Sequence, residues 1–309
     1  MRTDVHQHIW TEPLVDVLSA RSDPPRMRRD GARWLLELAA EPCSAVDVAG
    51  DGVDRRSSLV HLDGLDHALI SLSSPLGVEA LPDGEAWAVI EAYEAGVEAY
   101  SESFSAWGSV PLPSGSPTDV DAALDRGFAG LCVPAGALAT PDGLDRCGPL
   151  LEALERRRAP LFVHPGPDPW GRHSQNGCPA WWAAMTDYVS CMNAAWHAFV
   201  AFGRSRHPRL RVVFAMLAGC APLHLERLAA RGGPSRSALD PNLFYDTSSY
   251  GPRAIDAMVR VVGIDQLVYG SDRPVVSPPA APGWLGEAAW SAMTRRNPER
   301  LLIGAAVPA

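Results

Sequence analysis

A short apolar run followed by a longer stretch of helical periodicity recurs eight times along this chain, and few architectures accommodate that pattern. Strands that alternate with helices pair in parallel, because the connection between them must cross back over the sheet. The apolar runs lie at residues 4–10, 68–72, 105–110, 130–133, 160–164, 210–217, 243–247 and 266–270. Helical stretches follow at 84–100, 118–126, 144–158 and 253–262. Eight β-α units fit an α/β protein closed into a (β/α)8 TIM barrel. An open doubly wound sheet is the competing architecture, but no Gly-x-Gly-x-x-Gly follows the first run to support it.

The expected organisation is one barrel domain over residues 1–309. Two segments exceed the minimal unit: a rim insertion at about 11–66 and a Gly/Pro-rich loop after the fifth strand at about 166–180. Within the insertion, residues 44–48 and 59–62 are expected to pair as a small hairpin. A further helix is expected over 181–204, and another over 284–296.

Composition excludes several function classes. The formal charge is −9, and Arg156-Arg157-Arg158 is the longest basic block, so no field attracts a phosphate backbone and no nucleic-acid partner is expected. Neither a signal peptide nor a membrane span is suggested, and the expected location is cytoplasmic without a membrane partner. Six cysteines (Cys43, Cys132, Cys147, Cys178, Cys191 and Cys220) occur singly, without a Cys-x-x-Cys pair, and are expected to be reduced thiols. Lysine is absent, so all 27 basic residues are arginine.

Chemistry is concentrated at strand ends. Alternate side chains of an extended strand share a face, so Asp4, His6 and His8 project the same way. His164 ends the run Pro-Leu-Phe-Val-His, and Asp272 ends Leu-Val-Tyr-Gly-Ser-Asp. A His-x-His pair alone is more often an exposed polar pair than a ligand set. Its coincidence with His164 and Asp272 at the mouth of a barrel points instead to one divalent transition metal on His6, His8, His164 and Asp272. Zinc is the first expectation and manganese the alternative.

These motifs resemble the amidohydrolase superfamily, in particular its aminocarboxymuconate semialdehyde decarboxylase-like and lactonase-like branch. Asp4-Val-His-Gln-His-Ile-Trp, Phe-Val-His164-Pro-Gly and Tyr-Gly-Ser-Asp272-Arg-Pro are similar to its first, fifth and eighth strand motifs, and Phe244-Tyr-Asp-Thr-Ser248 to its seventh. The resemblance implies that His6, His8, His164 and Asp272 bind the metal and that Asp272 moves a proton. The bridging carboxylated lysine of two-metal members has no counterpart here, which favours a single ion. The chain departs from the pattern at Met216, where the family usually has a sixth-strand histidine; a thioether neither donates a hydrogen bond nor shuttles a proton. That missing role is expected at His173, with His224 as a weaker candidate.

Arg172, Arg273, Trp170 and Met216 are candidate substrate-binding residues, the arginines for a carboxylate-bearing small molecule and Trp170, with Trp181 and Trp182, for a ring. Equally, Arg273 could pair with a neighbouring carboxylate and the tryptophans could pack a helix or a homodimer interface. The expected activity is mononuclear metal-dependent hydrolysis of a small lactone, ester or amide. Non-oxidative decarboxylation of a small aromatic acid is the alternative, and a barrel that binds without turnover is the third reading.

Overall fold

Each of the eight apolar runs forms a strand, and the strands close into a barrel. The computed structural model describes residues 1–39, 41–100, 103–170, 181–234, 240–276 and 285–304. In chain order the elements are β1 (Thr3–Gln7), α1 (Glu12–Ser19), β2 (Arg26–Asp30), β3 (Arg33–Glu37), β4 (Ser44–Val46), α2 (Val53–Leu62), β5 (His67–Ile70), α3 (Asp83–Glu98), β6 (Phe104–Ala106) and α4 (Pro117–Asp125). They continue with β7 (Leu131–Pro134), α5 (Pro141–Arg157), β8 (Leu161–His164), α6 (Trp182–Ala198), β9 (Val212–Phe214), α7 (Leu225–Ala230), β10 (Leu243–Asp246), α8 (Pro252–Val262), β11 (Leu267–Val268), α9 (Glu287–Ser291) and α10 (Asn297–Leu301).

Three parallel strands, β1-β5-β6, and five more, β11-β10-β9-β8-β7, form two arcs. One seam is the bridge of Gly108 with Leu131, held by Gly108 N–H to Gly130 O (2.9 Å) and Cys132 N–H to Gly108 O (2.8 Å). The other joins Gln7 to Arg273, with Val5 N–H to Tyr269 O and Asp272 N–H to His6 O, both 2.9 Å. Both seams are parallel, so all eight strands run the same way and their C-terminal ends form one mouth. The two short outer strands β6 and β11 lie at these seams, where pairing is sparse.

The helices follow from local signals. A capping box at Ser116, with Asp119 reaching back, starts α4, and the Thr140 hydroxyl caps α5 by accepting from Gly143 N–H. In α8 one face, Ile255, Met258 and Val262, is buried against the barrel. The interior is filled by aromatics: Trp107 and Phe162 are fully buried with ring centroids 5.1 Å apart, and Trp107 Nε1–H donates to Val5 O. Among the described residues no helix is long and apolar enough to cross a membrane.

One element is placed differently from the sequence expectation. Ser44–Val46 pairs with β3, which in turn pairs with β2, in a three-stranded antiparallel sheet, while residues 59–62 belong to α2. The turn that nucleates this sheet is Gly31, whose φ of +61° lets β2 and β3 fold back directly. In α2, Arg56 and Val60 are buried four residues apart, so the segment reads as helix in space although its Leu-Val-His-Leu end looks extended. The expected 284–296 helix begins at Glu287 and continues through α10; Trp284 lies outside the described residues.

Candidate metal centre

At the mouth the strand ends bring His6, His8, His164 and Asp272 together, all buried, with one ligand atom from each within 4.8 Å of the others. His6 Nε2 is 3.1 Å from both His8 Nε2 and His164 Nε2. Asp272 Oδ1 is 3.4 Å from His6 Nε2 and 3.2 Å from His8 Nε2. Phe162, two residues before His164 and therefore on the same face, forms the floor, its ring centroid 5.0 Å from that of His6.

The outer ring nitrogens explain why the inner ones meet. His6 Nδ1 is 2.7 Å from Asp246 Oδ2, His8 Nδ1 is 2.9 Å from the Ser71 carbonyl, and His164 Nδ1 is 2.8 Å from the Pro165 carbonyl. These partners only accept, so each Nδ1 carries the proton and each Nε2 presents a lone pair. Three lone pairs and a carboxylate oxygen aimed at one point repel one another unless a positive charge lies between them. Ligand bonds of about 2.0–2.1 Å place neighbouring donor atoms about 3.3 Å apart around a tetrahedral ion, and four of the six separations here, 3.1–3.4 Å, match that spacing. The donor set therefore fits a divalent cation, and its three imidazoles favour a transition metal over magnesium or calcium.

Electrostatics agree. Burial alone would raise the Asp272 carboxyl, but the three imidazoles override it and hold it at about 2. Burial would lower His6, yet Asp246, Asp272 and Asp4 raise it; burial, with His6 and His8 beside it, pushes His164 well down. Asp272 adopts a left-handed φ of +57°, and Ser249 Oγ–H donates to its Oδ2 at 3.2 Å.

Two supporting acids escaped the sequence reading of the site. Asp246, at the end of β10, holds His6 with Oδ2, while its Oδ1 accepts from the backbone N–H groups of Met216 (3.0 Å) and Ser248 (2.9 Å) and from the Ser248 hydroxyl. Its signal was the one used for His164 and Asp272: a polar residue terminating an apolar strand. Asp4 accepts from His6 N–H, Gln7 Nε2 and Ser271 N–H, tying β1 to the strand-eight turn. Gly270 is obligatory between them, because a Cβ there would lie 2.8 Å from Asp246 Cγ and 3.0 Å from His6 Cβ.

The other candidates among the described residues lie away from the four ligands or are engaged elsewhere, and Arg273 takes the second of its two expected roles. Arg273 is committed to a bidentate pair with Asp63 (2.8 and 2.9 Å), so it is not a free clamp for substrate. Trp170 lies under the Arg146 guanidinium, 4.9 Å from ring centroid to Cζ, and Trp181 and Trp182 are exposed at the start of α6. Met216 is buried, and its backbone N–H donates to Asp246 Oδ1. His224 is exposed, while Arg172, His173 and Cys178 lie outside the described residues.

A cavity of about 370 Å³ opens beside Gly166, two residues beyond His164, between the loop after β8 and α6. Glu41, Asp168, Asp187, Tyr188 and Cys191 line it, and the Tyr188 hydroxyl donates a short hydrogen bond to Glu41 Oε1. Tyr188 is raised by burial, by Glu41 and, in smaller part, by the negative charge of Asp272, which places it within electrostatic reach of the metal ligands.

No family model matches the sequence, and no curated protein matches it. Solved structures do. An apo structure described as IDCase from Metarhizium anisopliae superposes with a TM-score of 0.79 at 17% identity, covering 98% of this chain and 97% of that one. 2,6-Dihydroxybenzoate decarboxylase from Rhizobium gives 0.68 at 17%, covering 97% and 98%. 5-Carboxyvanillate decarboxylase from Novosphingobium aromaticivorans, complexed with manganese and 4-hydroxy-3-methoxy-5-nitrobenzoic acid, gives 0.70 at 17%, covering 98% and 96%. The expectation of a lactone, ester or amide hydrolase is overturned by this comparison, since the similar structures described by their reaction are decarboxylases. What the strand-end motifs implied about architecture holds: the chain has a (β/α)8 barrel fold, and it shares its fold with these solved structures.

Proposed function

We propose that this chain is a metal-dependent, non-oxidative decarboxylase of a small ring carboxylic acid, working as one barrel domain in which Glu41 of the rim and residues 166–168 of the loop after β8 border the cavity. The observation that carries the reading is the convergence of three unprotonated imidazole nitrogens and Asp272 beside a cavity of ligand size, in an architecture shared with decarboxylases. His6, His8, His164 and Asp272 would hold one divalent ion, zinc or manganese. Bound there, the ion supplies the positive charge that anchors an anionic substrate and polarises it.

The chain's own groups do the rest. In the reaction the ring carbon keeps the electron pair of the broken C–C bond, CO₂ departs, and one proton replaces it. Asp272 is assigned the proton relay, as the one carboxylate among the four converging side chains. The Ser249 hydroxyl fixes its Oδ2. Asp246 keeps the His6 proton on the outer nitrogen, away from the reacting centre.

The test is CO₂ release from a panel of hydroxybenzoates and heteroaromatic ring carboxylates by protein carrying one zinc or manganese per chain. Metal-dependent release is expected, and Asp272→Asn should retain much of its metal while losing about 10²–10⁴-fold in rate. If no member of the panel loses CO₂ to fully loaded protein, the reading falls in favour of binding without turnover.

A further inference from the structure

The cavity beside Gly166, two residues beyond His164, has a chemical bias that bears on substrate class. Three of its lining side chains are carboxylates, Glu41, Asp168 and Asp187, and among the described lining residues none is basic. Among the described residues, Asp168 Oδ1 accepts from Trp170 N–H (2.9 Å), and Asp187 Oδ1 from Thr186 Oγ–H (3.1 Å). Glu41 arrives from the rim, just after β3, and among the described residues its one hydrogen-bond donor is the Tyr188 hydroxyl. Burial raises the Glu41 carboxyl, and the charge of Asp187 adds to the rise. A half-buried carboxylate with one neutral donor has acceptor capacity left over, and so does a phenol oxygen whose proton is already given away.

The wall is tied mechanically to the centre. The Cys191 thiol, on the helix carrying Tyr188, takes a hydrogen bond from the backbone of Gly166, two residues beyond His164. A ring whose carboxylate faces His6, His8, His164 and Asp272 would thus turn its remote edge towards Glu41 and Tyr188.

We propose that Glu41 and Tyr188 form a specificity wall that selects substrates carrying hydrogen-bond donors, ring N–H or phenolic O–H, on the edge remote from the carboxylate. This rests on the reading that the substrate is a ring carboxylate held at the metal. Hydrogen bonds to a charged acceptor discriminate by about tenfold to a hundredfold. A substrate whose remote edge presents only acceptors would meet the unpaired oxygens and be rejected.

The experiment is isothermal titration of the manganese-loaded protein with 3,5-dihydroxybenzoate and with 3,5-difluorobenzoate, which matches it in size but has no ring donor. Wild type is expected to bind the dihydroxy probe about tenfold to a hundredfold more tightly. Glu41→Leu should lose that advantage, to within about threefold, while binding the difluoro probe at least as tightly as wild type does; this retained affinity shows that fold and metal are intact. Glu41→Gln, which keeps one acceptor oxygen, should restore part of it. Equal binding of the two probes by wild type, a preference for the fluorinated one, or an advantage that survives in Glu41→Leu would each overturn the proposal. If the difluoro probe binds no better with metal than without, the carboxylate-at-metal reading itself fails, and the specificity wall with it.

Discussion

Asp246→Asn separates charge from geometry at the metal centre. The carboxylate does two things: Oδ2 accepts the His6 Nδ1–H at 2.7 Å, and Oδ1 accepts from Met216 N–H, Ser248 N–H and the Ser248 hydroxyl. An asparagine has one oxygen and one NH₂. The two backbone N–H groups require the oxygen on their side, which turns the NH₂ to His6 and makes His6 Nδ1 the acceptor. The imidazole must then carry its proton on Nε2, in the space where a cation would sit. Partners of this kind are typically worth about 10–100-fold in metal affinity, or about 1.4–2.7 kcal/mol. The fold should persist, because both backbone contacts are kept, whereas Asp246→Ala orphans them and should also destabilise the protein. Competition with a chelator of known affinity reads the effect. Wild-type affinity in a folded Asp246→Asn protein would refute the claim that this carboxylate sets the His6 tautomer.

Two further expectations concern groups outside the metal ligands. Glu79 is fully buried, its Oε2 has no partner among the described residues, and burial pushes its carboxyl up to about 7 from 4.5. A raised carboxyl favours the folded state below pH 4.5 and loses that advantage as pH rises through 7, so this group should remove about 2–3 kcal/mol of stability between pH 5 and pH 8. Glu79→Gln should flatten that slope in denaturant titrations, and an unchanged slope would contradict it. Arg273→Ala should cost about 1–2 kcal/mol of stability through the loss of its pair with Asp63, with metal affinity and KM changed less than about threefold. A tenfold rise in KM would return Arg273 to the substrate.

Much of the barrel was legible because its strands, buried on both faces, read as continuous apolar runs, and because polar residues terminate them at one end. His6, His8, His164 and Asp272 were visible for that reason, and Asp246 could have been found by the same rule; in sequence it passed for one acid among many. The rim sheet was misread because Arg26–Asp30, with three arginines and a terminal aspartate, has no apolar signature, while the end of α2 imitates a strand. Arg273 illustrates a different gap. Its neighbourhood to Asp272 in sequence suggested a role at the mouth, but its guanidinium is held by Asp63, 210 residues away, a pairing that only tertiary packing decides. Glu41 and Tyr188, 147 residues apart, were invisible to any local pattern.

The central claim is that one ion sits among four named side chains, and anomalous diffraction from crystals of the manganese-loaded protein tests it most directly. The account predicts a single peak per chain, within coordination distance of the Nε2 atoms of His6, His8 and His164 and of the Asp272 carboxylate, lost in the His6→Ala, His8→Ala double variant. A peak elsewhere, or one that the double variant retains, would contradict it.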